Sequence, residues 1–289
     1  MTVNDYFPWW SKILIKIVLS RIPVSYKSWR KLNIFKHGAM DDPVYAYKTF
    51  IKHYKTGNMM DKNNGYVMLE LGPGDSLASG IIAKCLGACK SYLVDKSNDA
   101  LVSSCNYTNI LNHLNSVENI PENEKPNIED IDEIKKYYNI EYMTEGLKSL
   151  RSLPDSSIDY LWSQSVLEHI KLDEFRDYVR EFRRIIKEDG VSVHGVDLKD
   201  HLSYALNNLR FTEAMWESRF MSSSGFYTNR LRYSEILDIF SQEGFSPNIL
   251  NLKKWKELPT KKERMDEKFR NMRNEELLIS EFDLLLHPS

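Results

Sequence analysis

Val67-Met68-Leu69-Glu70-Leu71-Gly72-Pro73-Gly74-Asp75-Ser76 decides how this chain is read. A short apolar run ends in an acidic residue and a Gly-x-Gly turn, and Leu77, Ile81, Ile82, Cys85 and Leu86 follow at helical spacing. The run, bounded by Gly and Pro, predicts a buried strand over 67–71, and the spacing after it predicts a helix over 76–87. Residues without a Cβ let the backbone of such a turn approach a ligand closely. The first amides of the helix then point outward, unpaired and electropositive. The turn suits a nucleotide-like ligand.

The details narrow the ligand. A dinucleotide fingerprint needs a third small residue for close helix–strand packing, and Leu77 stands at that position. A phosphate-binding P-loop needs Gly-Lys-Ser/Thr, and no lysine is near. What remains is Glu70-x-Gly72-x-Gly74, followed by Asp95 at the end of Ser91-Tyr92-Leu93-Val94-Asp95. A carboxylate at the tip of the second strand is placed to accept hydrogen bonds from both ribose hydroxyls of a nucleoside. The stretch resembles the first motif of class I S-adenosylmethionine-dependent methyltransferases, with Ser76 where the motif carries its third glycine.

At 289 residues the chain can bury one sizeable core without a second domain. Its hydrophobic share of 42% and charged share of 28% are those of an ordinary globular protein. A formal net charge of −2 gives no basic surface for nucleic acid. Cys85, Cys89 and Cys105 make no disulfide framework, which points to a reducing, cytoplasmic setting. Trp9 to Leu19 is apolar but interrupted by Lys12 and Lys16, too short to span a bilayer and without the layout of a secretion signal. An aromatic, basic helix over 9–22 can rest on a membrane surface; packing on the body of the protein is the plainer reading.

Along the chain, residues 1–66 read as a helical, aromatic-rich extension that helps roof the site. From 67 strand and helix alternate: strand 91–95, helix 98–114, strand 140–143, strand 158–162, helix 172–187, strand 191–197. Alternation of this kind means parallel strands joined by crossovers. Residues 115–138 are rich in Asn, Glu, Lys, Asp and Pro and read as a solvated insertion with one helix at 128–137. Gly190 is placed to stop the helix before strand five. Residues 198–232, rich in Trp, Phe, Met and Ser, predict a helical cap over the acceptor. A helix from Ser234 to Gly244, a strand near 248–252, a charged surface segment over 256–276 and a last strand at 281–286 close the chain.

The resemblance strengthens downstream. Leu153-Pro154-Asp155-Ser156-Ser157-Ile158-Asp159-Tyr160-Leu161-Trp162 followed by Val166-Leu167-Glu168-His169-Ile170 is similar to the fourth-strand signature of the same superfamily. It implies an α/β, Rossmann-like sheet of seven strands with the last antiparallel, and S-adenosyl-L-methionine as cofactor. By the same resemblance Gly72 and Gly74 lie under the methionine part, Glu70 faces its ammonium and Asp95 takes the ribose. Gly146 and Leu147 form the adenine wall, and Ser163 and Gln164 stand nearer the methionine. Residues Tyr26 to Tyr47, Asp197 to His201 and Tyr227 to Leu231 are similar to a bacterial group associated with surface-polysaccharide or secondary pathways. That likeness implies a hydroxyl on a sugar or glycan precursor as acceptor. Methyl transfer to nitrogen or carbon, or a non-catalytic scaffold of the same fold, are the competing readings.

Methyl transfer from a sulfonium is an in-line displacement in which the protein mainly positions the acceptor. A hydroxyl acceptor gains from a general base, and His serves best near neutral pH. His201 beside Asp200 is the first candidate, with His169 as the second and His194 expected to hydrogen-bond in the core. Glu168, His169 and His201 have the chemistry of metal ligands, but Ser165 replaces the first Glu of the metal-assisted Glu-x-x-Glu-His pattern, and no metal is assigned. Trp216, Tyr227 and Arg230 in the cap are the candidates for holding the acceptor, since aromatic faces beside an Arg suit a sugar or a phosphorylated group.

Overall fold

Strand β1, Val67–Leu71, is buried over its last four residues and lies between β2 (Lys90–Val94) and β4 (Ile158–Gln164), parallel to both. Its continuous apolar character follows from burial on two faces rather than one. The computed structural model describes residues 8–11, 13, 17, 39–61, 65–98, 100, 104–118 and 130–289. With β3 (Ile140–Met143), β5 (Ile186–Asp197), β6 (Phe245–Lys254) and β7 (Ile279–Pro288), the strands form one seven-stranded sheet in the order β3-β2-β1-β4-β5-β7-β6. Strand β7 runs antiparallel to β5 and β6. This is the Rossmann-like methyltransferase sheet, and the strand order reverses between β1 and β4, where open α/β sheets bind their ligands.

Alternation along each strand sends its side chains to two cores. Met68, Tyr160, Trp162 and Val193 face one layer, which holds Phe50 and Tyr54 of α1 (Pro43–Thr56), Ile81 and Ile82 of α2 (Ala78–Cys85) and Tyr107 and Leu111 of α3 (Ser104–Glu118). The short helix α4 (Ile131–Tyr137) joins this layer through Ile134. Leu69, Leu71, Leu161 and Leu284 face the other layer, made by α5 (Leu147–Arg151), α6 (Leu172–Ile185) and α7 (Tyr233–Gln242). Helix α1 starts where the sequence says it should. Asp42 caps it by accepting from the Tyr45 amide at 2.8 Å, and Pro43 stands in the first turn, where no amide is missed. The described end of the extension is therefore part of the core, with Phe50 edge-on to Trp162 at 5.6 Å.

Three expectations shift. The helix expected over 98–114 runs over Ser104–Glu118. Helix α6 stops at Ile185 and β5 begins at once, so Gly190 ends no helix. Pairing passes from Ile158↔Ile186 to Tyr160↔Val191, so Lys187 to Gly190 bulge outward, with Lys187 Nζ on both oxygens of Asp159 at 2.9 Å. A Cβ at Gly190 would meet Ile186 at 2.7 Å, and the tight bulge is what needs glycine there. The cap is built of single helical turns, Glu213–Trp216 and Arg219–Ser222, rather than long helices.

The expected features over 12, 14–16, 18–38 and 119–129 lie outside the described residues, including most of the helix over 9–22 and part of the insertion. Of the apolar N-terminal stripe, Ile13 and Ile17 are buried with Leu202, Trp216 and Phe226 of the cap, and Trp9 meets Phe211 edge-on at 6.2 Å. Among the described residues no helix is long and apolar enough to cross a membrane.

Candidate functional site

The glycine turn leaves β1 between the tips of β2 and β4, because Leu71 pairs with Val94 on one side and Ser163 on the other. Gly72 (φ +72°) and Gly74 (φ +63°) both adopt the left-handed backbone that glycine permits. A Cβ on Gly72 would meet Val166 Cγ2 at 2.4 Å, so that glycine makes room for the turn after β4 rather than directly for a ligand. Ser165, at φ +53°, starts this turn and carries Val166 over the glycine.

Asp95 sits at the tip of β2, half-buried, with its carboxylate held in place by the protein's own amides. Gly74 N donates to its Oδ2 at 3.3 Å and Lys96 N to its Oδ1 at 2.7 Å. The carboxylate is thus tied to the glycine turn and kept at the strand edge, as a ribose-gripping group must be. Gly146 N donates to Asp95 O at 2.8 Å, which brings the loop after β3 alongside. Gly146 has φ +56°, and a Cβ there would lie 2.8 Å from the Tyr178 hydroxyl, so only glycine fits. Leu147 follows as the first residue of α5 and is half-buried.

Glu70 is the buried charge of this region. Its side chain is fully enclosed, Ser79 Oγ donates to Oε2, and burial pushes its carboxyl up to about 8. A carboxylate kept this far from water is stabilised by a cation brought beside it. The α-ammonium of S-adenosylmethionine is such a cation, and the donor set Glu70, Asp95 and the glycine turn fits that cofactor.

Other expected cofactor contacts fall elsewhere. Ser163 is fully buried and its hydroxyl bonds to His194 Nδ1 at 2.7 Å, so its side chain belongs to the core. His194, between Ser163 and the Ser192 hydroxyl at 2.8 Å, is held neutral by burial with its pKa pushed down to about 3. Gln164 accepts at Oε1 from His53 Nε2 at 2.8 Å and donates through Nε2 to Ser165 Oγ at 2.9 Å. That clamp fixes the amide against Gly195, where a Cβ would lie 2.5 Å from Oε1.

Next to β4, on the side away from the glycine turn, opens a cavity of about 550 Å³. Gln164 and Ser165 form one edge; Lys52, Asp197, Asn251, Lys253, Glu281 and Asp283 supply most of the remaining wall. Lys52 Nζ binds Asp283 Oδ1 at 2.6 Å, and Asn251 Nδ2 donates to Asp283 Oδ2 at 2.8 Å. Lys253 Nζ binds Glu281 Oε2 at 2.6 Å, and Lys199 Nζ donates to Glu281 Oε1. Sequence reading missed these residues. Those on β6 and β7 reach the site only through the antiparallel register of strands distant in the chain.

The acceptor residues expected in the cap are spent inside it. Trp216 is fully buried and its indole Nε1 donates to Thr228 O at 2.7 Å. Tyr227 stacks on that ring at 6.2 Å and its hydroxyl donates to Glu217 Oε2 at 2.5 Å. Arg230 is buried, with Nη1 donating to Phe211 O at 2.7 Å, and burial lowers its pKa. These three hold the cap together and do not line the large cavity.

Asp200 also differs from expectation. Its Oδ1 accepts from the Leu202 and Ser203 amides at 3.0 and 2.7 Å, and its Oδ2 from the Asn207 amide at 2.6 Å and the Asn207 side chain at 3.1 Å. The carboxylate organises the turn. His201 stacks on His169 at 4.7 Å and 21°. His169 Nδ1 lies 3.0 Å from Tyr227 O; a carbonyl only accepts, so Nδ1 carries a proton. Glu168 completes the group: one ligand-type atom from each of the three residues lies within 4.8 Å of the others.

Residues 69–194 match the family model described as a methyltransferase domain. A comparison with curated protein sequences gives no match. Among solved structures the chain is similar to a Haemonchus contortus phosphoethanolamine N-methyltransferase 2 in complex with S-adenosyl-L-methionine, at 13% identity over 84% of this chain and 53% of that one, TM-score 0.49. It is also similar to the YcgJ protein from Bacillus subtilis, at 15% identity over 83% and 97%, TM-score 0.44. A Haloferax volcanii complex of the Trm112 methyltransferase activator and a putative methyltransferase matches at 12% identity over 85% and 93%, TM-score 0.44. At these identities and scores the family match and the sheet order carry the weight. That match spans β1 to β5 of a sheet whose strands run in the order the fold requires, so residues 69–194 form a methyltransferase domain.

Proposed function

We propose that the chain methylates a hydroxyl of a small, strongly polar molecule such as a sugar or glycan precursor. The observation that carries this reading is the cavity beside β4. Its volume of about 550 Å³ holds a molecule of one or two sugar rings, and its wall is mostly charged and amide side chains with Phe282 as the large apolar exception. Such a lining favours a ligand rich in hydroxyls over a flat apolar one. In this reading Glu70 meets the ammonium of the cofactor, Asp95 the ribose hydroxyls, and Gly146 with Leu147 the adenine. Gln164, which the resemblance puts nearer the methionine, stands on the cavity edge.

The cofactor supplies an activated methyl on a sulfonium; this chain's own part is placement and handling of the acceptor's proton. His169 and His201 stand together in the segments that follow β4 and β5, a few residues along the chain from Ser165 and Asp197 of the cavity edge. The hydroxyl reading makes this imidazole pair responsible for activating the acceptor, where a neutral amine would need no such help. A cofactor-consumption assay across sugars, sugar phosphates, phenols and amines tests it. Turnover with polyhydroxylated acceptors, falling at least about a hundredfold in His169→Ala or His201→Ala, supports the reading. Turnover with amines alone, unchanged in both variants, refutes it.

A further inference from the structure

Glu168 is enclosed at 2% exposure, and among the described residues neither carboxylate oxygen has a well-formed hydrogen bond. The backbone amides of Glu168 and Asp197 lie near it without satisfying it, and its charged neighbours are Asp197 and Lys199. Buried polar atoms in native folds are almost always paired, so two orphaned oxygens on one carboxylate point to a missing partner. A cation is the partner a buried carboxylate calls for.

His169 and His201 supply the rest of a coordination set. Ligand atoms held about 2.0–2.2 Å from one tetrahedral ion lie about 3.4 Å apart. Atoms of Glu168, His169 and His201 lie within 4.8 Å of one another, so side-chain shifts of about an ångström close the set. The bond between His169 Nδ1 and Tyr227 O at 3.0 Å is the arrangement that fixes a metal-binding imidazole, with the other nitrogen turned to the ion. The backbone builds the same cluster: Asn229 N donates to Glu168 O at 2.8 Å, and Asn229 Nδ2 donates to Leu167 O at 2.8 Å and Ile170 O at 3.0 Å, pinning the turn from both sides.

We propose that Glu168, His169 and His201 bind one first-row divalent cation of the zinc type. Two imidazole nitrogens and one carboxylate oxygen suit such an ion, and three protein ligands leave a position for an exchangeable oxygen. Binding of the ion stands on this geometry alone; its chemical use rests on the hydroxyl acceptor proposed above. At the open position an acceptor hydroxyl is acidified and loses its proton to solvent. Its oxygen pair then forms the O–CH3 bond as the S–CH3 bond breaks, and the bonding pair stays on sulfur to give the neutral thioether.

The test uses the full chain, stripped with a chelator and titrated with Co2+ as a spectroscopic probe and with Zn2+ by calorimetry. The expected result is one ion per chain, ligand-field absorption with Co2+, and affinity lowered at least about tenfold in Glu168→Gln and in His201→Ala. Affinity for S-adenosylmethionine, measured on the same samples, reports that each variant is folded. His169→Gln is the substitute if either variant fails that check. A stripped chain that binds the cofactor but no ion overturns the site, as does equal ion binding by wild type and variants. An ion bound with full affinity in a chain that methylates only amines supports the site and refutes the hydroxyl reading.

Discussion

The glycine-turn side and the cavity side of this molecule are built by different means. Around β1, β2 and the loop after β3, position is set by backbone: left-handed glycines at 72, 74 and 146, and amides that hold Asp95 in place. Around β5, β6 and β7, position is set by side chains reaching across elements far apart in the chain, as in Lys52 of α1 to Asp283 and Lys253 to Glu281. Backbone geometry is local and tolerates little substitution; side-chain networks are long-range and can be rewired one residue at a time. On the function proposed above, the first construction belongs to the cofactor and the second to the choice of acceptor.

Substitutions can separate the halves. Trp216→Ala should have the largest effect on stability, about 3–5 kcal/mol, because it empties the core of the cap and leaves Thr228 O without its donor. Thermal unfolding followed with and without cofactor checks this, and at a temperature where the variant is folded its cofactor affinity should match the wild type. Loss of cofactor affinity in that variant would break the division between the halves.

Glu70→Gln tests the buried charge. The empty fold holds Glu70 protonated up to about pH 8, and the cofactor's ammonium favours the ionised form. Binding at pH 7 should therefore release a proton, and affinity should rise with pH until about 8, where Glu70 is already ionised in the empty protein. Calorimetry in buffers of different ionisation heat should see the release in wild type and not in Glu70→Gln, whose affinity should fall about tenfold. Stability of the empty protein carries the opposite sign. A carboxyl whose folded pKa is raised loses its contribution as pH rises from about 4.5 through about 8, and denaturant titrations should show that slope flattened in the variant.

The smallest effect belongs to the cavity wall. Lys52 is partly exposed and its bond to Asp283 is screened, so Lys52→Met should cost little stability. It should raise the acceptor's KM several-fold with cofactor affinity unchanged, a shift of about 1 kcal/mol. An unchanged KM would remove the cavity from the acceptor's path.

The division explains what the sequence could disclose. Glycine, a strand-tip acid and an apolar run are local facts, so Glu70, Gly72, Gly74 and Asp95 could be placed before the fold was known. His169 and His201 were visible as candidates, but not their stacking, which depends on two loops meeting after β4 and β5. Asp200 misled because a carboxylate next to a histidine in sequence suggests a pair, whereas turn amides take up all its bonds. Trp216, Tyr227 and Arg230 misled because aromatic residues beside an Arg look alike in a binding wall and in a cap's own core. Asp283 and Glu281 were hidden because only the antiparallel register of β7 turns them toward β5 and β6.

The central claim is that Asp95 grips the cofactor's ribose at the tip of β2. Isothermal titration of wild type and Asp95→Ala with S-adenosylmethionine tests it most directly. Loss of two charge-assisted hydrogen bonds to the ribose predicts affinity weaker by about a hundredfold or more, with the empty protein still folded and only modestly less stable for losing the bonds from the Gly74 and Lys96 amides. Equal affinity in the two proteins would contradict it.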